Sequence, residues 1–289
     1  MYKIKRVLNN NTVYALDSKG TEVILKGRGI GFERSANEVV TNDNVEKIFT
    51  LKDKKNSSQF FQLVSSIPYQ YIQAAEHIIA YANQSLNKKL DEHIYVTLSD
   101  HIAYVMERQR EGLMIKNPLL WEIKRFYQPE FIIGQEAVCL IKDELGVQLN
   151  DDEAGFISLH IVNAEMNIDM EQSVRMTETM QDILDIIKYY FRVVFDESQF
   201  SYARMTTHLK FFVQRAISGE QYVEQDSEFS DFIRRKYPKA YDCTNQIAEY
   251  MKKKWNYDMS EEEKLYLTVH IYHVVHELEG SAGKDEKIS

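Results

Sequence analysis

Asn150-Asp-Asp-Glu-Ala-Gly-Phe-Ile-Ser-Leu-His160-Ile161 reads as the opening of a helix. A capping residue is followed three positions later by Glu153, so each side chain can satisfy the other's orphan backbone N–H. Phe156, Ile157, His160, Ile161 and Ala164 then recur at helical spacing. The chain states the pattern again as Ser260-Glu-Glu-Glu-Lys-Leu-Tyr-Leu-Thr-Val-His270-Ile271, with the histidine again ten residues after the cap. His101 and His208 stand ten residues after Asp91 and Ser198, which are expected to cap their helices. His101 and His208 are 107 residues apart, and His160 and His270 are 110 apart, so a unit of that length is duplicated. Leu98 and Ile102 match Met205 and Leu209, and Phe156-Ile-Ser-Leu159 matches Tyr266-Leu-Thr-Val269.

A chain of 289 residues favours two or three domains. Four prolines and eleven glycines favour a mostly helical body. No apolar run approaches the roughly 18 to 20 residues that cross a bilayer, and Met1-Tyr-Lys-Ile-Lys-Arg6 is not followed by a signal-peptide core. A cytoplasmic protein without membrane insertion is expected. Cys139 and Cys243 have no C-x-x-C partner, which argues against a disulfide framework or a zinc site and for buried, reduced thiols. The net charge of −9 conceals an asymmetry: residues 1–60 carry +4 and the remainder −13. A small basic head on a large acidic body is the pattern of a polyanion-binding module.

That head reads as β structure. Ile4, Val7 and Leu8 precede Asn9-Asn-Asn11; Thr12–Leu16 and Thr21–Leu25 are strand-like around a turn at Asp17-Ser-Lys-Gly20, and Lys47–Leu51 is a further short apolar run. Three glycines within Gly27-Arg-Gly-Ile-Gly31 imply a sharp bend or a close backbone approach. So small a unit buries little apolar surface and is expected to pair with a second copy, making a homodimer. Lys52–Ser58 reads as a linker. The expected architecture is therefore multidomain: a small all-β antiparallel module (1–55), two all-α helical-bundle repeats (62–170 and 171–278), and a disordered tail (279–289).

One histidine on an apolar helical stripe is ordinarily a satisfied core residue. Four at corresponding positions repeat a desolvation cost that Leu or Phe would avoid, which favours a chemical role. Metal binding finds no H-E-x-x-H or comparable ligand set; His273 and His276, which have no counterpart in the first repeat, are expected at a solvated helix end. Catalysis finds no G-x-S-x-G, activated cysteine or phosphate-cradling loop. Phosphoryl acceptance on a ring nitrogen remains. It would add about −1.5 to −2 charge units, with Arg108, Arg110, Lys210 and Arg215 as nearby cations. No cofactor is expected.

The chain resembles the BglG/SacY family of transcriptional antiterminators, most closely its β-glucoside-operon branch, from Met1 to about Leu278. The resemblance rests on Val7-Leu-Asn-Asn-Asn11, Gly27-Arg-Gly-Ile-Gly-Phe32, Leu98-Ser-Asp-His101-Ile102 and Lys116-Asn-Pro-Leu-Leu-Trp-Glu122. Asp152–Ala164, Thr207-His-Leu-Lys-Phe-Phe212 and Leu267-Thr-Val-His270-Ile271 complete it. It implies a dimeric β-domain that binds an RNA hairpin in a leader transcript, with contacts on Arg6, Asn11, Gly27, Arg28 and Phe32; the family often carries Lys where Arg6 stands. It implies two regulation domains phosphorylated on His101, His160, His208 and His270. Modification of the first by a sugar-specific permease (enzyme II) would inactivate, and modification of the second by the histidine phosphocarrier protein would activate. Physical chemistry suits these assignments: a guanidinium flanked by glycines can approach phosphates, and an exposed ring stacks on an unpaired base, although Phe32 can equally be read as a core strand residue. The expected activity is regulatory, not enzymatic. A DNA-binding regulator of similar layout lacks a helix-turn-helix pattern ahead of the repeats, and a histidine-dependent phosphotransferase is the remaining alternative.

Overall fold

The computed structural model describes residues 1–50, 67–219 and 228–285. The expected linker at Lys52–Ser58 lies outside them. Strands β1 (Tyr2–Asn9), β2 (Thr12–Leu16), β3 (Glu22–Lys26), β4 (Val39–Val40) and β5 (Lys47–Thr50) form one antiparallel sheet in the order β4-β1-β2-β3-β5. The β1–β2 register shifts between Ile4 and Arg6 and again between Val7 and Asn9. Each shift inserts one residue and changes the face that follows. Ile4 and Val7, three apart, therefore both pack on the core of Val13, Ala15, Val23, Leu25, Ile30 and Val40, while Arg6 is exposed. At the β2–β3 turn the Asp17 carboxylate accepts from the backbone N–H groups of Lys19 and Thr21, at 2.8 and 2.7 Å.

The chain divides into two compact units, Met1–Ile115 with Glu136–Asn150, and Lys116–Gln135 with Asp151–Ser289. In the first, helix α1 (Tyr69–Ser85) packs on α2 (Ile94–Arg110) through apolar stripes that include Ile78, Ile79, Leu98 and Ile102. The sheet is tied to α1 by Lys26, whose Nζ donates to Glu76 Oε2 at 2.8 Å and lies over the Tyr69 ring.

The second unit holds α3 (Leu120–Phe126), the start of α4 (Gln128–Leu145), α5 (Asp151–Met166), α6 (Met170–Phe191), α7 (Phe200–Ser218), α8 (Glu228–Lys236), α9 (Pro238–Trp255) and α10 (Glu261–Asp285). Helix α5 is buried on nearly every side, Glu153 and His160 included, as expected of a helix without a clear polar face. It fits because glycines remove side chains at two crossings. A Cβ on Gly134 would lie 2.3 Å from the Ala154 carbonyl oxygen, and one on Gly155 would lie 2.8 Å from Asn117 Nδ2. Asn117 starts the Asn-Pro-Leu-Leu turn, where its N–H donates to Asp152 Oδ1 at 2.9 Å and its own Oδ1 accepts from Leu119 N.

The duplication is visible in the helices. Helices α4 and α5 recur 110 residues later as α9 and α10. The Gly134–Ser158 crossing becomes Thr244 against Thr268, whose hydroxyls lie 3.0 Å apart.

Three expectations need correction. Asp91 and Ser198 are not N-caps: the N-cap positions are His93 for α2 and Gln199 for α7, and neither side chain makes a capping hydrogen bond. Asp91 instead accepts from His93 N, and Ser198 bonds Asp196, so both short polar side chains shape the turn before the helix. The tail is helical through Asp285, because no proline stops the propagation of α10. Cys139 is exposed on α4; only Cys243 is buried, and burial pushes its thiol up to about 12.

Candidate functional site: the glycine loop and the histidine groove

The loop after β3 is bonded to the β1–β2 hairpin. Gly27 N donates to the Asn11 carbonyl at 3.1 Å, Gly29 N to Asn11 Oδ1 at 2.8 Å and Gly31 N to the Asn10 carbonyl at 2.9 Å, while Asn9 Oδ1 accepts from Asn11 N. Gly27 and Gly31 are buried, and a Cβ on either would collide with the Asn44 or Asn9 carbonyl. Their bareness thus serves the chain's own crossing. Gly27, expected to offer its backbone to a ligand, is corrected on this point. Gly29, at φ +68° with open space around it, is the glycine on the outside. Arg6 and Arg28 are exposed, and Phe32 is 57% exposed in a turn, which overturns the alternative of a core strand residue. Asn11 is half-buried, with its amide oxygen engaged by the loop.

In the second repeat, α7 and α10 bring His208 and His270 together, with ring centroids 4.4 Å apart and planes inclined by 30°. Tyr266, one turn before His270, meets both rings edge-on and places its hydroxyl 2.6 Å from His208 Nδ1 and 3.1 Å from Nε2. Burial, then the charges of His208, Arg204 and His273, lower the His270 pKa to about 4. Burial and Arg204 lower that of His208 as well. Both rings are therefore uncharged at neutral pH, the state in which an imidazole nitrogen is a nucleophile. They border a cleft of about 410 Å³ with Tyr266, Arg215, Glu262 and Glu263. Capping shapes its far end: Ser260 N donates to Glu263 Oε2 at 3.0 Å and Glu263 N to Ser260 Oγ at 3.2 Å, a complete capping box. On its other side His270 shares a hollow of about 370 Å³ with Ser201, Arg204, His273, His276 and Glu277.

The expected cations are differently placed. Lys210 is paired with buried Glu130 at 2.9 Å, Arg110 donates to the Tyr71 hydroxyl, and Arg108 is buried with the Tyr104 ring 5.3 Å away. Arg215 lines the cleft, 3.7 Å from Glu263. Arg204, which sequence reasoning missed, is the cation acting on both histidines; its position one helical turn before His208 was the available signal. His273 and His276 are exposed, and no group of three metal-ligating side chains occurs among the described residues.

His101 is half-buried on α2 in the first compact unit, and His160 is buried on α5 in the second. Among the described residues, no helix is long and apolar enough to cross a membrane.

Residues 2–58 match the CAT RNA binding domain family, and residues 76–164 and 181–274 each match the PRD domain. The fold is thus an RNA-binding β-module followed by paired helical regulatory domains. The chain is 44% identical over 273 residues to the transcription antiterminator LicT of Bacillus subtilis (strain 168), covering 94% of this chain and 99% of that protein. It is 39% identical over 277 residues to the beta-glucoside operon antiterminator of Dickeya chrysanthemi, covering 96% and 98%. A solved structure of GlcT CAT-PRDI, 37% identical, superposes with a TM-score of 0.50 over 56% of this chain and 97% of that one. The chain belongs to the BglG/SacY family of transcription antiterminators, close to LicT.

Proposed function

We propose that the protein binds an RNA antiterminator hairpin in the leader of a sugar-utilisation operon, blocking terminator formation, under control of histidine phosphorylation by the sugar phosphotransferase system. The observation that carries this reading is the pair of uncharged rings, His208 and His270, bordering an open cleft. In this reading residues 1–55 bind RNA through Arg6, Asn11, Arg28 and Phe32, with Gly27 shaping the loop. Residues 62–170 and 171–278 are the two regulation domains. The head works as a cytoplasmic homodimer, which suits the small core its sheet encloses. A sugar-specific permease phosphorylates His101 and His160 to inactivate, and the histidine phosphocarrier protein phosphorylates His208 and His270 to activate. Charge gives the switch its force, since each phosphoryl group adds about −1.5 to −2 units to a body already at −13.

A terminator-readthrough assay on a leader transcript tests the reading. Wild-type protein should raise readthrough, and Phe32→Ala should lower affinity for the RNA hairpin about tenfold through lost base stacking. Aspartate at both 208 and 270 should strengthen dimerisation and RNA binding. Unchanged dimer and RNA affinities in that double variant, or equal binding of duplex DNA and hairpin RNA, would overturn it.

A further inference from the structure

His270 borders two hollows of opposite character. On the Tyr266 side two carboxylates, Glu262 and Glu263, line the cleft, and its cation, Arg215, lies 3.7 Å from Glu263. On the other side Ser201 and Arg204 of α7 meet His273, His276 and Glu277 of α10 around a hollow of about 370 Å³. Arg204 makes no ion pair with a carboxylate among the described residues, and the Ser201 hydroxyl oxygen is buried without a hydrogen-bond partner. A guanidinium presents its N–H groups as a planar fork that matches phosphate oxygens. His273 and His276 are exposed, and each can add a donor or a charge. In the first repeat Thr97, Asn163 and Met166 stand where Arg204, His273 and His276 do, so this set of side chains belongs to the second repeat alone.

We propose that this hollow is a phosphoryl-binding subsite, in which the group carried by phosphorylated His270 turns away from the carboxylate-lined cleft and is held by Arg204, with Ser201, His273 and His276 around it. This deepens the phosphoacceptor reading of the second repeat and rests on it. In the transfer step a ring nitrogen of His270 forms the new P–N bond while the donor's own bond to phosphorus breaks. With phosphoramidate as donor, the departing nitrogen takes up a proton and leaves as ammonia, and the proton on the other ring nitrogen is free to pass to solvent. The product carries about −1.5 to −2 charge units, which Glu262 and Glu263 repel and Arg204 attracts. Because Arg204 and Ser201 belong to α7 and His270 to α10, the held group bridges the two helices.

The test labels the full chain with potassium phosphoramidate and assigns the 31P signal of phosphorylated His270 by its loss in His270→Gln. The second ionisation of a phosphoryl group ordinarily falls at about pH 6. Beside Arg204 it should drop to about pH 5, and Arg204→Gln should return it to about 6, whereas Arg215→Gln should leave it in place. A titration that follows Arg215 instead, or neither arginine, overturns the proposal, as does a His270 that phosphoramidate does not label. In the wild type the Arg204 Nε–H signal should move downfield on labelling, and an unmoved signal counts against the subsite without relying on a variant. Excess inorganic phosphate should leave the titration unchanged, since a tethered group needs no capture from solution; displacement by it would make the hollow a site for the free anion and overturn the assignment to His270. If the phosphocarrier protein fails to label a His270 whose phosphoramidate-derived group follows Arg204, the regulatory reading falls and this one stands. Label from the carrier with a titration blind to Arg204 has the opposite result.

Discussion

The two helical repeats descend from one sequence pattern, yet they differ at several matching positions around their histidines. In the second, α7 and α10 press His208 and His270 into a ring pair beneath Tyr266, and the His270 pKa falls to about 4. In the first, His160 is buried and His101 half-buried, and phenylalanine stands where the tyrosine does. The helix crossings diverge as well: Gly134 against Ser158 in one repeat, Thr244 against Thr268 in the other. Duplicated spacing thus preserved the helices while the residues at their crossings changed.

The largest effect that would sharpen this contrast comes from exchanging the crossing residues. Gly134→Thr, which imports the second repeat's side chain, should lower stability by about 3 kcal/mol through overpacking, because its Cβ must displace the Ala154 carbonyl. Thermal denaturation reads this, and an unchanged midpoint would mean that the two crossings are interchangeable.

Next in size is a pH slope. Between the ordinary histidine value of 6.5 and about 4, the unfolded chain holds a proton that folded His270 refuses, so stability rises with pH across that window and is complete above it. The change is on the order of 2 kcal/mol. Denaturant midpoints measured from pH 4 to 7 should show the slope, and His270→Gln should flatten it. A slope that survives the substitution breaks the assignment of the pH dependence to the buried His270 ring.

The smallest effect concerns the caps. Ser260→Ala should cost about 1 kcal/mol, whereas Ser260→Asn, the residue with which the first repeat opens, should change stability by only a few tenths. A larger loss with Asn would show that the two helix starts are not equivalent.

Much of this was legible in the sequence because it is local. Strand alternation, helical spacing, the Asp17–Gly20 turn and the duplication all depend on residues close in the chain. Crossings between distant segments were hidden. Nothing near Gly27 or Gly31 announces that the Asn44 and Asn9 carbonyls pass over them, so Gly27 was read as backbone offered to a ligand. The two register shifts in β1, the two-residue strand β4 and the Asp169–Gln172 capping box of α6 also went unseen. Arg204 was overlooked because its effect on His270 crosses from α7 to α10. Cys139 was placed inside by an apolar neighbourhood, although the helix turns it outward.

The loop after β3 carries a kinetic consequence. With its glycine N–H groups already bonded to Asn10 and Asn11, it meets a ligand in a settled shape. Fixing one free residue costs about 1–2 kcal/mol, a cost largely met here when the head folds. A partner that matches this shape can dock at a rate governed by encounter, since it need not wait for the loop to rearrange. A partner that does not match finds a surface unable to yield, and it departs quickly.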